Sequence, residues 1–263
     1  MKQSVVTVPI LRVTGERVRE QDFVAVEEPL QIRLNGSDLA ITMRTPGHDD
    51  ELAVGFLHSE GIVTSRDAIA GIETGDNSIS ITLTAEAAPD VSAQTRHFYL
   101  TSSCGVCGKA SVDALVAAGC SAPPHDTPRI SRAVLQRLPD TLRATQAVFD
   151  RTGGLHAAAL FNTQGELQLV REDVGRHNAV DKLVGRSVLD GKVPLHDSVL
   201  MLSGRISFEL VQKALLAGIG MVVAVGAPSS LAVETALRFG LTLAGFVRDG
   251  RFNIYAGEDR IEA

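Results

Sequence analysis

The feature that most constrains this chain is the alternation of short apolar runs with helix-length segments in its second half. Ser198–Leu202, Met221–Val225 and Leu241–Val247 are compact runs of aliphatic residues. Between them lie helical patterns at Ser207–Ala217 and Ser229–Phe239, and a further helix is predicted near Arg176–Leu189. Runs this short and continuously apolar are strands buried on both faces. Strands alternating with helices make βαβ units, so a sheet covered by helices on both sides is expected. Leu155–Asn162 and Glu166–Glu172 add a hairpin around Thr163–Gly165, and Phe252–Tyr255 a last strand.

The first part of the chain reads differently. Val5–Val13 and Phe23–Val26 are strand-like, and Leu30–Leu34 and Leu39–Met43 flank Asn35-Gly36, a hairpin signal. Asp49–Ser59 opens with acids and has apolar residues at helical spacing, so it predicts a helix. Ser78–Thr84 and His97–Leu100 read as strands, residues 119–130 as a linker rich in Pro and small residues, and Ser131–Asp150 as largely helical. The expectation is an α/β protein: a β-rich N-terminal domain over 1–125 and an α/β domain over 126–263.

Composition narrows the function. A net charge of −6 argues against non-specific nucleic-acid binding, and the absence of Trp, with only two Tyr, argues against base stacking. Met1–Pro9 carries no long apolar stretch, and no apolar run is long enough for a bilayer, so neither a signal peptide nor membrane insertion is expected. Three cysteines, two at CxxC spacing, do not make a disulfide scaffold. A cytoplasmic protein with a catalytic or metal-binding pair is the expectation.

That pair is Cys104 and Cys107, in Thr101-Ser-Ser-Cys-Gly-Val-Cys-Gly-Lys109. The glycines loosen the backbone, and the residues from Lys109 to Ala118 read as a helix. A helix N-terminus and the Lys109 charge both favour thiolate. Three chemistries fit. Zinc nucleobase deaminases pair His-x-Glu with a later CxxC, and His58-Ser-Glu60 precedes Cys104 and Cys107 here, although Ser103 stands where that motif has Pro. A nucleophilic cysteine on such a loop can instead carry sulfane sulfur as a persulfide. A dithiol oxidoreductase is the third option.

Several strand ends carry groups suited to an anion. Ser203-Gly-Arg205 and Gly226-Ala-Pro-Ser-Ser230 each open a helix, Arg248 follows a strand, and Arg171-Glu-Asp-Val-Gly-Arg-His-Asn178 crowds two Arg with a His. The plainer readings are helix caps for Ser203 and Ser229, solvated ion pairs for Arg171, and a helix surface for Asp181 and Lys182. For His156, at the start of an apolar strand, the plainer reading is a structurally satisfied ring.

Thr45-Pro-Gly-His-Asp-Asp-Glu-Leu-Ala-Val-Gly-Phe-Leu57, Ser102-Ser-Cys-Gly-Val-Cys-Gly-Lys109, Thr152-Gly-Gly-Leu-His-Ala157, Arg171 to Leu183, Ser203-Gly-Arg205 and Gly245-Phe-Val-Arg248 together resemble the formate dehydrogenase accessory sulfurtransferases, the FdhD family. The resemblance runs in order over nearly the whole chain. It implies a cytidine-deaminase-like three-layer C-terminal domain and a homodimer. It also implies sulfur taken from a cysteine desulfurase and passed to the bis(molybdopterin guanine dinucleotide) molybdenum cofactor of formate dehydrogenase. Cys104 then carries the persulfide with Cys107 as its partner, and no zinc is expected. The cofactor-binding stretch falls on Leu243, Ala244, Gly245, Phe246, Val247 and Arg248. Arg205, Arg171, Arg176 and His177 are the further candidates, and GDP is the expected mimic.

Overall fold

A computed structural model describes residues 3–87 and 129–263. The cysteine loop, Cys120, the expected strand at His97–Leu100, nearly all of the 119–130 linker and the 125/126 division lie outside those residues. Three strand pairs open the chain: β1 (Val5–Val13) with β2 (Arg17–Ala25), β3 (Glu28–Leu34) with β4 (Ser37–Arg44), and β5 (Ile69–Thr74) with β6 (Ser78–Leu83). β3 to β6 form one four-stranded sheet in the order β4-β3-β6-β5. The β1–β2 hairpin pairs with no other described strand, and Arg151 lies over its Phe23, 4.8 Å from the ring centre.

Helix α1 (Asp49–Ser59) follows β4, its three first-turn acids facing the positive end of the helix dipole. After β7 (Ile130–Ser131), Ser131 caps α2 (Arg132–Arg143) by accepting from Val134 N, and α3 (Ala147–Thr152) follows. The remainder is β8 (His156–Phe161), β9 (Leu167–Asp173), α4 (Arg176–Leu189), β10 (Val199–Leu202), α5 (Phe208–Leu216), β11 (Met221–Ala224), α6 (Ser230–Phe239), β12 (Thr242–Arg248), β13 (Arg251–Ala256) and β14 (Ile261–Glu262). Six of these strands make the main sheet, in the order β13-β12-β11-β10-β8-β9. β10, β11 and β12 are parallel, while β8, β9 and β13 each run antiparallel to the neighbour that precedes them outward from that centre.

The period of two sorts side chains between two layers. Ala157, Ala159, Phe161, Met201 and Val223 pack under Leu135, Leu138 and Leu142 of α2. Ala158, Leu160, Leu200, Leu202 and Val222 face the other way, against α4, α5 and α6. That is the three-layer arrangement expected. The second cluster continues through Leu52 and Leu57 of α1 to Leu30, Ile32 and Ile81 of the small sheet.

Helices α1 and α4 meet at backbone contact. A Cβ on Gly55 would lie 1.8 Å from the carbonyl oxygen of Asp181, and one on Gly185 1.8 Å from that of Glu51. Each glycine therefore receives the backbone of the residue four before its counterpart. Only hydrogen at both positions permits this approach.

Candidate functional site

The antiparallel placement of β8 brings its first residue to the edge where β9, β10, β11 and β12 end. His156 pairs with Asp173 at the end of β9. On its other side the β8–β10 ladder continues past Leu202: Ser203 N donates to the Ala157 carbonyl (3.0 Å), and Ala157 N donates to Ser203 Oγ (2.8 Å). Ser203 is thus not a helix cap. It extends the sheet and sets Gly204 against the imidazole, where any Cβ would lie 3.1 Å from Nδ1.

Three glycines close the neighbouring loops. Gly226 N donates to the Gly204 carbonyl and Phe246 N to the Gly226 carbonyl, each at 3.1 Å. A Cβ on Gly226 would lie 2.7 Å from Gly204 O, and one on Gly245 3.0 Å from Gly226 O. The β10–α5, β11–α6 and β12–β13 connections therefore stack backbone on backbone. Ser229 caps α6, accepting from Ala232 N at 3.3 Å, as the plainer reading of that serine expects. In the stretch from Leu243 to Arg248, Leu243, Ala244, Gly245 and Val247 are buried; Phe246 is partly exposed and Arg248 exposed. Phe246 has φ +55°, uncommon for a residue with a side chain, at an irregularity in the β12–β13 register between Gly245 and Arg248.

Cations gather at this edge. Arg176 is the first residue of α4 and Arg205 lies in the β10–α5 loop. Arg176 Nε is buried and has no hydrogen-bond partner among the described residues, where neither arginine forms an ion pair. Burial lowers the pKa of His156, and the Arg176 and Arg205 charges lower it further, against a smaller upward pull from Asp173. His177 is lowered to about 4 by burial, then by Lys213 and Arg176, against Asp181 and Glu209. Its Nε2 lies 3.0 Å from Ser207 Oγ. Burial would raise Glu209, but the Ser207 hydroxyl, then His177 and Arg176, outweigh it and lower that carboxyl. Glu209 Oε2 lies 3.8 Å from His177 Nε2, and among the described residues it forms no ion pair with Arg205.

Arg171, five residues before Arg176, faces a different way. Its guanidinium makes a two-pronged contact with Glu51 of α1, Nη2 to Oε1 at 2.7 Å. Burial pushes the Glu51 carboxyl up, but Arg171 and His48 outweigh it and hold it at about 2. Asp173 is fully buried, paired with Lys182 Nζ at 2.7 Å and accepting from Thr45 N, Gly175 N and Asn178 Nδ2. Lys182 Nζ also donates to the Thr45 carbonyl at 2.8 Å. Asp181, likewise buried, accepts from Ser59 Oγ and pairs with Lys213 at 2.6 Å. The reading of Asp181 and Lys182 as helix surface is corrected: this face of α4 lies against α1 and the turn before it, not water. Glu172 accepts from Val148 N and Phe149 N, so it caps α3 rather than forming a solvated pair.

The zinc reading is also corrected. His58 is buried, with Nδ1 2.8 Å from the Val63 carbonyl and Nε2 3.2 Å from that of Leu216. Both ring nitrogens face backbone carbonyls, so the ring ties α1 to α5 and neither nitrogen is turned toward a metal site. Cys104 and Cys107, its expected co-ligands, lie outside the described residues. Sequence reasoning takes His156 for a structurally satisfied ring and does not include it, Ser207 or Glu209 among the site residues. The signal for His156 was its place in Thr152-Gly-Gly-Leu-His-Ala157.

Comparison with known proteins places this geometry in context. The sequence pattern of the FdhD/NarQ family matches residues 25–262. Proteins named sulfur carrier protein FdhD are similar along most of their length. The one from Streptomyces avermitilis is 54% identical, over 91% of this chain and 89% of that protein. The one from Mycolicibacterium paratuberculosis is 48% identical, over 94% of both. Among solved structures, a formate dehydrogenase accessory protein from Desulfotalea psychrophila superposes with a TM-score of 0.76 at 26% identity, covering 98% of both chains.

Proposed function

The chain belongs to the FdhD/NarQ family, and from that premise we propose that it carries sulfur to the molybdenum cofactor of formate dehydrogenase. The observation that carries the cofactor half of this reading is the cationic edge. A protein of net charge −6 holds Arg176, just after β9, and Arg205, after β10, at one edge of its main sheet with no carboxylate paired to either among the described residues. Phosphate groups of a guanine dinucleotide suit such an edge, where helix N-termini add partial positive charge. His177, its pKa lowered to about 4 and so neutral near pH 7, offers a ring contact to a base.

The sulfur half rests on Cys104 and Cys107. The Cys104 thiolate attacks the outer sulfur of a persulfide on a cysteine desulfurase. A new S–S bond forms at Cys104, the donor's S–S bond breaks, and the donor cysteine leaves as thiolate. Cys107, as resolving thiol, then attacks the inner sulfur of the Cys104 persulfide: a Cys104–Cys107 disulfide forms, the S–S bond to the outer sulfur breaks, and that sulfur leaves as sulfide for the bis(molybdopterin guanine dinucleotide) cofactor bound at the sheet edge. Formate dehydrogenase is the client. A homodimer in the cytoplasm is the setting we propose; among the described residues no helix is long and apolar enough to cross a membrane.

Intact mass after incubation with a desulfurase and cysteine tests the carrier. One added sulfur, mapped by peptide digestion to Cys104, is the expected result. An unchanged mass, or sulfur only on Cys107, refutes the assignment of Cys104 as acceptor.

A further inference from the structure

The histidines of this protein differ in how their ring nitrogens are used. Both nitrogens of His58 face backbone carbonyls, and His177 Nε2 is held by Ser207. His156 has no hydrogen-bond partner for either nitrogen among the described residues, although it is half-buried, at the start of the next-to-last strand of the main sheet. It stands between Asp173 on β9 and Gly204 on the β10–α5 loop. Glycine at 204 lets that backbone lie against the ring, where a Cβ would come within 3.1 Å of Nδ1. Arg176 comes from α4 and Arg205 from the same loop as Gly204.

We propose that His156 is the third member of a diphosphate-binding triad with Arg176 and Arg205, and that it enters as the imidazolium, taking up a proton when the ligand binds. This deepens the cofactor half of the proposed function and rests on that reading. The charged groups facing His156 are Arg176, Arg205 and, opposed to them, Asp173. In the free protein, burial and the two arginines disfavour a third positive charge. A bound diphosphate reverses the sign of the local field and supplies an acceptor oxygen, so protonation becomes favourable. Ligand binding and proton uptake are then linked: the folded, ligand-free ring has the lower pKa and the ligand-bound ring the higher one. Affinity is greatest below the free value and falls as pH rises through the bound value. With one proton involved, the fall is at most about tenfold per pH unit.

The test is calorimetry of GDP binding near neutral pH in two buffers of different ionisation heat, on the native protein and on His156→Gln. The buffer dependence counts protons, and any titration of GDP's terminal phosphate is common to both proteins. The expected result is greater proton uptake by the native protein, with weaker binding and a flatter pH dependence in the variant. Equal uptake in the two proteins overturns the triad while leaving the cofactor edge intact. Absence of GDP binding overturns both, and sulfur loading on Cys104, read by mass, still stands or falls alone. Should His156→Gln not fold, the pH titration of the His156 ring in the native protein decides. With saturating GDP its midpoint rises relative to chloride at equal ionic strength; an unmoved midpoint refutes the proposal.

Discussion

Replacing Gly185 by Ala sets two effects of opposite sign against each other. Helix propensity alone favours the change, since Ala is better than Gly in a helix interior by about 1 kcal/mol. The α1–α4 crossing opposes it. The new methyl would lie 1.8 Å from the Glu51 carbonyl oxygen and 2.6 Å from Gly55 N, both backbone atoms that no rotamer change can move. Ordinary contact with a carbon needs about 3.2 Å or more, so the helices must separate by more than about 1 Å, a gap that forfeits roughly half of each dispersion contact across the seam. The same movement stretches the Ser59–Asp181 bond of 2.8 Å and the Lys182–Thr45 bond of 2.8 Å, both tying α4 to α1 or to the turn before it. Overpacking costs about 1–3 kcal/mol, and each charge-assisted hydrogen bond lost adds about 1.5–3 kcal/mol. The clash therefore wins, with a net destabilisation of about 4 kcal/mol, a large part of a domain's usual stability. Urea unfolding followed by circular dichroism measures it, and Gly55→Ala should behave alike because the contact is reciprocal. A midpoint for Gly185→Ala equal to or above that of the native protein would refute the reasoning, since propensity would then have prevailed over the crossing.

Other expectations test the site and its supports. Cys104→Ala should accept no sulfur, and formate dehydrogenase matured with it should be inactive; full activity of that enzyme would remove the persulfide role. Arg205→Ala should weaken GDP binding by about tenfold to a hundredfold, the loss of one charge-assisted contact of ~1.5–3 kcal/mol, while Cys104 still loads. Calorimetry and mass spectrometry on the same sample separate the two effects. Glu51 has a folded pKa of about 2 against a usual 4.5, so its contribution is fully present above 4.5 and is lost as pH falls towards 2. A shift of this size corresponds to about 3 kcal/mol. Acid unfolding monitored by fluorescence-free circular dichroism should show native stability falling through that window, and Glu51→Gln, less stable at neutral pH, should change far less there.

The sequence announced β8, β10, β11 and β12 of the main sheet because these strands are buried on both faces and so are largely apolar. Helix α4 was legible to the residue for a related reason: Ala179, Val180, Leu183, Val184 and Val188 mark its core side. Where burial is one-sided or absent, the signal fades. β2 was read only at its end, since Arg17–Ala25 pairs with β1 alone and most of its residues face water, leaving no apolar alternation to detect. β5, with Ile69 and Ile72 among small and polar residues, gave no usable pattern at all. The misreading of Asp181 and Lys182 has a different origin. Charged neighbours on a helix are normally solvated, and nothing local shows that Lys213, 32 positions on, or Thr45, far upstream, will arrive to satisfy them.

The segment from Arg171 to Lys182 shows why a motif cannot be parsed into roles from its own letters. Arg171 and Arg176 are the same residue type, five positions apart. Arg171 lies on β9 and meets Glu51, which α1 carries to that side of the sheet. Arg176 lies beyond Asp173, and Asp173 is where the chain turns. Its carboxylate holds Gly175 N, Asn178 Nδ2 and Lys182 Nζ at once, fixing the first turn of α4 against the end of β9. The buried pair is therefore the anchor from which Arg176 is aimed at the edge. The residues turned inward (Glu51, Arg171, Asp173, Asn178 and Lys182) set positions, and those left at the edge (His156, Arg176 and Arg205) are the ones the proposed function assigns to a ligand. Which group a residue joins depends on whether a partner of opposite charge reaches it, a property of the packed helices that the spacing of the motif does not encode.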